Sequence, residues 1–310
     1  MRYSLLSRFR GTLLGTALGE IYGSQYKQQT RLESPPEPGE SVELNSLCPW
    51  SQIALVCAQS LIRCGRLDLE DWLHNLSRLQ SSLLSSKIGA ASGSEAAVAT
   101  LPVALFFHEN EETLLRELTL ASAAWQGTQN TPIEVLAVGY AIALALTEKL
   151  NVATLIPQTL AYLQDSETPI GQQLAQIQTL LEQAAPLEQA VTQLCREHQP
   201  STTPIALAFY CFLSTPEDFR LSLTRAIQTG YEPQTTAAIT GALSGVYNSL
   251  IGIPLGWRLA FNRNNSGEML QMADHLLRVW SGVYDSTTAH SCHLTTVAAP
   301  RVIQQRHGGL

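Results

Sequence analysis

The stretch Ile227–Arg258, IQTGYEPQTTAAITGALSGVYNSLIGIPLGWR, decides how the rest of the chain is read. Ala237, Gly241 and Gly245 recur at four-residue spacing, with Ala238 and Ala242 beside them. That pattern predicts a helix over 235–251 with one nearly bare face. Glycine inside a helix costs on the order of 1 kcal/mol relative to alanine. Two of them on one stripe are explained most simply by a second backbone approaching closely there. The polar loop Gly230–Gln234 comes just before, so the unpaired N–H groups of the first turn face it. That loop is the first place to look for a site.

A partner for the bare face lies at the other end of the chain. Leu5–Gly23 carries glycines at 11, 15, 19 and 23, the same four-residue period. The two small-residue helices, one first and one near-last, are expected to meet at the centre.

The totals narrow the setting. The 310 residues are 45% hydrophobic and only 15% charged, below the usual quarter, so much of the chain must be buried. A net charge of −7 argues against nucleic acid or an anionic membrane as the main partner. The six cysteines form no C-x-x-C pair and mostly sit among apolar residues, as reduced core thiols do. The opening MRYSLLSRFRG has no signal-peptide core before its arginines, and the apolar run 135–146 is too short to span a bilayer. A reduced cytoplasmic protein is expected.

Residues 28–47, rich in Pro, Glu and Ser, read as a solvated loop. An apolar helix follows over Pro49–Cys64, with proline in its first turn. Leu67–Ser86 is amphipathic and opens on Asp68, Glu70 and Asp71, which the helix dipole favours. Residues 87–95, KIGAASGSE, form a Gly/Ser loop that feeds an apolar helix running through Phe107. Such a loop can cradle phosphate. Ser92-x-x-Glu95 is also a capping box, whose carboxylate would repel an anion, and the cap is the better reading. Thr131-Pro132, Thr168-Pro169, Thr203-Pro204 and Thr215-Pro216 each place a good N-cap before a proline, and Glu134 completes a capping box with Thr131. About a dozen helices are expected, with no alternating strand pattern and no fixed repeat. The expected fold class is all-α, a compact single-domain orthogonal multi-helix bundle over 1–284 with an irregular tail at 285–310. His290-Ser-Cys-His293 in that tail offers three soft donors but no second half, so a closed zinc site is not expected.

Residues 230–245 resemble the signature helix of the ADP-ribosylglycohydrolase family, Gly-Gly-Asp-Thr-Asp-Thr-Asn-Ala-Ala-Ile-Ala-Gly-Ala-Leu-Ala-Gly. The scaffold half matches almost letter for letter from Thr235 onward, and Ile253-Pro254 and Trp257 follow where the family often has them. Leu5–Gly23 is similar to the family's opening motif, with Glu20 standing in for an aspartate. The 93–102 segment resembles a third motif, with Ala99 replacing its arginine and Leu101-Pro102 keeping its end.

The resemblance implies hydrolysis of N- or O-glycosidic bonds to ADP-ribose, with two magnesium ions held by aspartates. Magnesium wants near-octahedral oxygen ligands, mostly carboxylate and water. Where the family has Thr-Asp-Asp-Thr this chain has Cys48, Pro49, Trp50 and Ser51. The signature aspartates have become Glu232 and Gln234, beside Thr235. Six aspartates in the whole chain include no adjacent or alternating pair. Nor is there a Gly-x-Ser-x-Gly elbow, a Walker loop or a His-Glu-x-x-His. The family's magnesium site is therefore expected to be lost, leaving no cofactor.

Two readings of function follow. In the first, the chain is a binding or structural protein on the family scaffold, as relatives serving as lens crystallins suggest. Cys48, Trp50, Ser51, Ser92, Ser94, Tyr231, Glu232, Gln234 and Thr235 are its pocket candidates, for a nucleotide-like small molecule or a protein. The same centre would otherwise be plugged by Tyr231 and Trp50. In the second, Glu20 and Glu232 act as general acid and base in a metal-independent glycosidic hydrolase.

Overall fold

The computed structural model describes residues 3–29, 48–78, 91–125, 131–164, 167–196, 201–265 and 267–282. Fifteen helices and no strand occur among the described residues. The loop expected at 28–47, the first half of the 87–95 loop and the tail with His290 and His293 lie at or beyond the edges of the described residues.

Helix α1 (Leu5–Gln29) runs antiparallel to the helix that forms from the signature stretch, Pro233–Gly252, which is α13 in chain order. Gly11 faces Gly245, Gly15 faces Gly241, Gly19 faces Ala237 and Gly23 faces Pro233. At each of the four, a Cβ would fall 2.0–2.2 Å from the facing carbonyl oxygen, far inside van der Waals contact. The two glycine stripes thus exist so that two main chains can touch, as the sequence predicts. Near the end of α13 Ser249 takes φ 60°, and the helix kinks where Gly11 approaches it.

Around this pair lie the shorter helices. α2 (Pro49–Cys64) ends on Gly65, whose left-handed backbone returns its N–H to Leu61. α3 (Leu69–Ser77) is opened by the Asp68 carboxylate, which accepts from Asp71 N at 3.1 Å. α4 (Gly93–Ala99) carries the expected capping box, with both halves formed between Ser92 and Glu95. It stops at Thr100, and α5 (Leu101–Phe106) restarts on Pro102, so the single helix expected through Phe107 is two. Proline in the first turn of the second helix explains the break.

α6 (Glu111–Ser122), α7 (Thr131–Leu146), α8 (Leu155–Leu163), α9 (Pro169–Glu182) and α10 (Leu187–Leu194) follow. α11 (Thr203–Ser214) and α12 (Phe219–Gln228) lead into α13, and α14 (Leu255–Asn265) and α15 (Glu268–Trp280) come after it. α7 and α11 are the apolar helices of the core, and α11 is buried from Thr203 to Leu213. Arg10 on α1 grips Asp274 on α15 through two 2.6 Å bonds, and Tyr22 packs on Trp257 of α14 at 4.9 Å.

The Thr-Pro punctuation holds only in part. Thr168 caps α9 by accepting from Gly171 N. Thr203 is already helical, and its hydroxyl accepts from Gln173 Nε2 at 3.0 Å instead. No helix starts at Thr215; Asp218 caps α12, with Leu221 N donating at 2.9 Å. Glu134 does not reach back to residue 131 but bonds Ser201, so the second capping box is not formed. At Thr203 and Glu134 a tertiary partner outcompetes the local cap, whereas at Thr215 the nearby Asp218 takes over the capping role.

Candidate functional site

The site motifs gather on one buried carboxylate. Glu20 sits on the third small-residue turn of α1, where the close approach of α13 leaves the side chain 0% exposed. Its Oε2 accepts from Ser51 N at 2.8 Å and from Ser51 Oγ at 2.5 Å. Its Oε1 accepts from Trp50 N and from Gln234 Nε2, both at 3.0 Å. The first turn of α2 has no cap of its own, because Cys48 makes no side-chain bond to it. Glu20 supplies that cap from another helix, and the α2 N–H groups supply the positive end that an anion needs. Burial pushes the Glu20 carboxyl above its ordinary range, and the bonds from Ser51, Trp50 and Gln234 pull against it.

Around this hub the other candidates divide. Trp50 is buried, donates its indole N–H to Glu95 Oε1 at 3.0 Å and meets Trp125 edge to face at 5.9 Å. Glu95 also accepts from Ser92 N at 2.9 Å, which links the hub to the start of α4. Ser92 and Ser94 lie 3.1 Å apart through their hydroxyls, and Ser94 is buried. Cys48 is half-buried and donates to Ser24 Oγ at 3.7 Å; burial, then the nearby Glu20 charge, push its thiol up to about 12. Thr235 is buried and bonds back to Glu232 O.

Tyr231 and Glu232 behave differently. Glu232 is exposed and holds a left-handed backbone at φ 37° ahead of α13, just after Gly230 at φ 66°. A non-glycine residue there costs roughly 1–2 kcal/mol. Tyr231 is half-buried, and its carbonyl accepts from Thr236 Oγ1 at 2.8 Å. Glu20, Trp50, Ser51 and Gln234 therefore form one bonded cluster. Glu20 and Glu232, paired in the hydrolase reading, occupy opposite environments, one sealed and one solvated. Sequence reasoning did not find Glu95 as the partner of Trp50; its only signal was the capping box, which explains one of its two oxygens.

The described elements are all helices, with α1 and α13 sealed backbone to backbone beside a buried polar cluster. A solved ADP-ribosylglycohydrolase-related protein complex matches this fold with a TM-score of 0.61 at 20% identity, over 89% of this chain and 99% of that one. The family model for ADP-ribosylglycohydrolase matches residues 1–286, and the chain belongs to that family. It is also 22% identical to ADP-ribosylhydrolase ARH3 of Bos taurus, over 87% of this chain and 93% of that protein. Among the described residues, no helix by itself is long and apolar enough to cross a membrane.

The groups present do not fit a pair of magnesium ions. Pro49 and Trp50 have no oxygen to offer from their side chains, and the Cys48 thiol is held neutral. Gln234 turns its amide N–H to Glu20, and all four bonds to Glu20 come from N–H or O–H donors. A hard dication would have to displace those donors from a carboxylate already satisfied by them. No group of three or more His, Cys, Asp or Glu side chains able to hold a metal ion occurs among the described residues.

Proposed function

We propose that this chain is an ADP-ribosylglycohydrolase family member in which metal-dependent hydrolysis has given way to a binding or structural role in the cytoplasm, without a cofactor. The observation that carries the reading is the Glu20 carboxylate, bonded on both oxygens by the residues that stand where the family's ligands would be. Such a cluster satisfies itself, so it stabilises the fold without an ion. The docking place in this reading is the strained turn at 230–232, exposed at Gly230 and Glu232, for a nucleotide-like small molecule or a protein segment.

Calorimetric titration with magnesium and with ADP-ribose, alongside assays of ADP-ribose release from modified arginine, modified serine and acetyl-ADP-ribose, tests the reading. No magnesium heat and no turnover are expected. Magnesium-dependent turnover would overturn the proposal. Metal-independent turnover abolished by Glu232→Gln would make the chain a hydrolase of altered mechanism. A combined Pro49→Asp, Trp50→Asp, Glu232→Asp, Gln234→Asp variant is expected to gain magnesium binding if it folds.

A further inference from the structure

A second buried carboxyl stands apart from the Glu20 cluster. Glu134, in the first turn of α7, is 1% exposed. Its Oε1 accepts a 2.6 Å bond from Ser201 Oγ, and the same Ser201 oxygen accepts from Gly93 N at 3.1 Å. One hydroxyl thus ties α7 to the first residue of α4. Among the described residues Glu134 Oε2 has no hydrogen-bond partner, and the carboxyl fills the space that a side chain at position 93 would need. An ionised carboxylate with one donor and one orphaned oxygen in a dry site is costly, whereas the protonated acid is far less so.

The surroundings offer the charge no relief. The elements packed against α7 carry Glu95 on α4, Glu111, Glu112, Arg116 and Glu117 on α6, Tyr162 on α8 and Tyr247 on α13. Glu95 is engaged with Ser92 and Trp50, Arg116 with Glu117, and Tyr162 with Tyr140 and the Glu111 carbonyl. Burial therefore pushes Glu134 up to about 7, opposed only by the Ser201 hydroxyl.

We propose that Glu134, Ser201 and Gly93 form a proton-operated latch. With Glu134 protonated, the start of α4 is held against α7; when the proton leaves, water must reach Oε2 and that start is released. The latch operates whether or not glycosidic chemistry persists, and its ligand is the proton alone. The native group holds its proton more tightly than an opened one, so closure is strongest below the ordinary carboxylate range. Opening then grows by up to about tenfold per pH unit as pH rises to about 7 and levels off above it.

Amide hydrogen exchange at 93–96 in the full chain, at pH 5.5 and 7.5 and corrected for the chemical exchange rate, reads the opening directly. Protection is expected to fall by more than tenfold at the higher pH, and Glu134→Gln is expected to abolish that fall. Ser201→Ala, which removes the tie to Gly93 N, is expected to leave 93–96 poorly protected at both pH values. Equal wild-type protection at the two pH values would overturn the latch, even if neither variant folds. So would a Glu134→Gln protein that keeps the wild-type pH response.

Discussion

Glu20 is a charged residue used as a structural bolt. Removing it leaves the N–H groups of Trp50 and Ser51, the Ser51 hydroxyl and the Gln234 amide without an acceptor in a buried site. Each buried donor left unsatisfied costs about 1–3 kcal/mol, and relaxation recovers some of the total. Glu20→Ala is therefore expected to lose on the order of 3–5 kcal/mol in denaturant unfolding. An unchanged midpoint would strip Glu20 of this role. The substitution of Glu20 for an aspartate is visible in the sequence, but its partners are not. Residues 20, 50 and 234 become neighbours only when three helices have docked, and no periodicity records that.

At the scale of elements, the seam between α1 and α13 was the most legible feature, because a four-residue glycine period is local and leaves a bare helical stripe. The Ser92–Glu95 box was legible for the same reason: donor and acceptor are three residues apart. Asp68, read only as an acid favoured by the helix dipole, proves to be the N-cap itself. Thr203 and Glu134 were misread because each found a better partner far along the chain, Gln173 and Ser201. Two glycine substitutions separate close approach from ordinary helix chemistry. Gly241→Ala pushes a methyl into the backbone at Gly15 and is expected to cost about 2–3 kcal/mol, despite alanine's better helix propensity. Gly256→Ala, on α14, meets nothing within 4 Å and is expected to be neutral or to stabilise by up to about 1 kcal/mol. Thermal unfolding of the two variants distinguishes them; equal shifts would refute the seam.

At the scale of the molecule, the domain is closed by its two ends. α13 is the principal partner of α1, and Arg10–Asp274 and Tyr22–Trp257 extend the same closure to α14 and α15. A chain cut after Gln228 keeps α1 and loses the helix it rests on. Such a fragment is expected to aggregate on expression, and restoration of a soluble species by co-expressed 229–310 would show that the two pieces complement each other.

The antiparallel glycine seam also sets a timetable for biosynthesis. Glu20 and Gln234 lie 214 positions apart, so a ribosome adding about 5–20 residues per second needs roughly 10–40 s to deliver one to the other. Throughout that interval the first helix emerges with a bare glycine groove and a lone acid, and nothing to seat them in. Nascent chains of this protein should therefore lean on chaperones until translation is nearly finished.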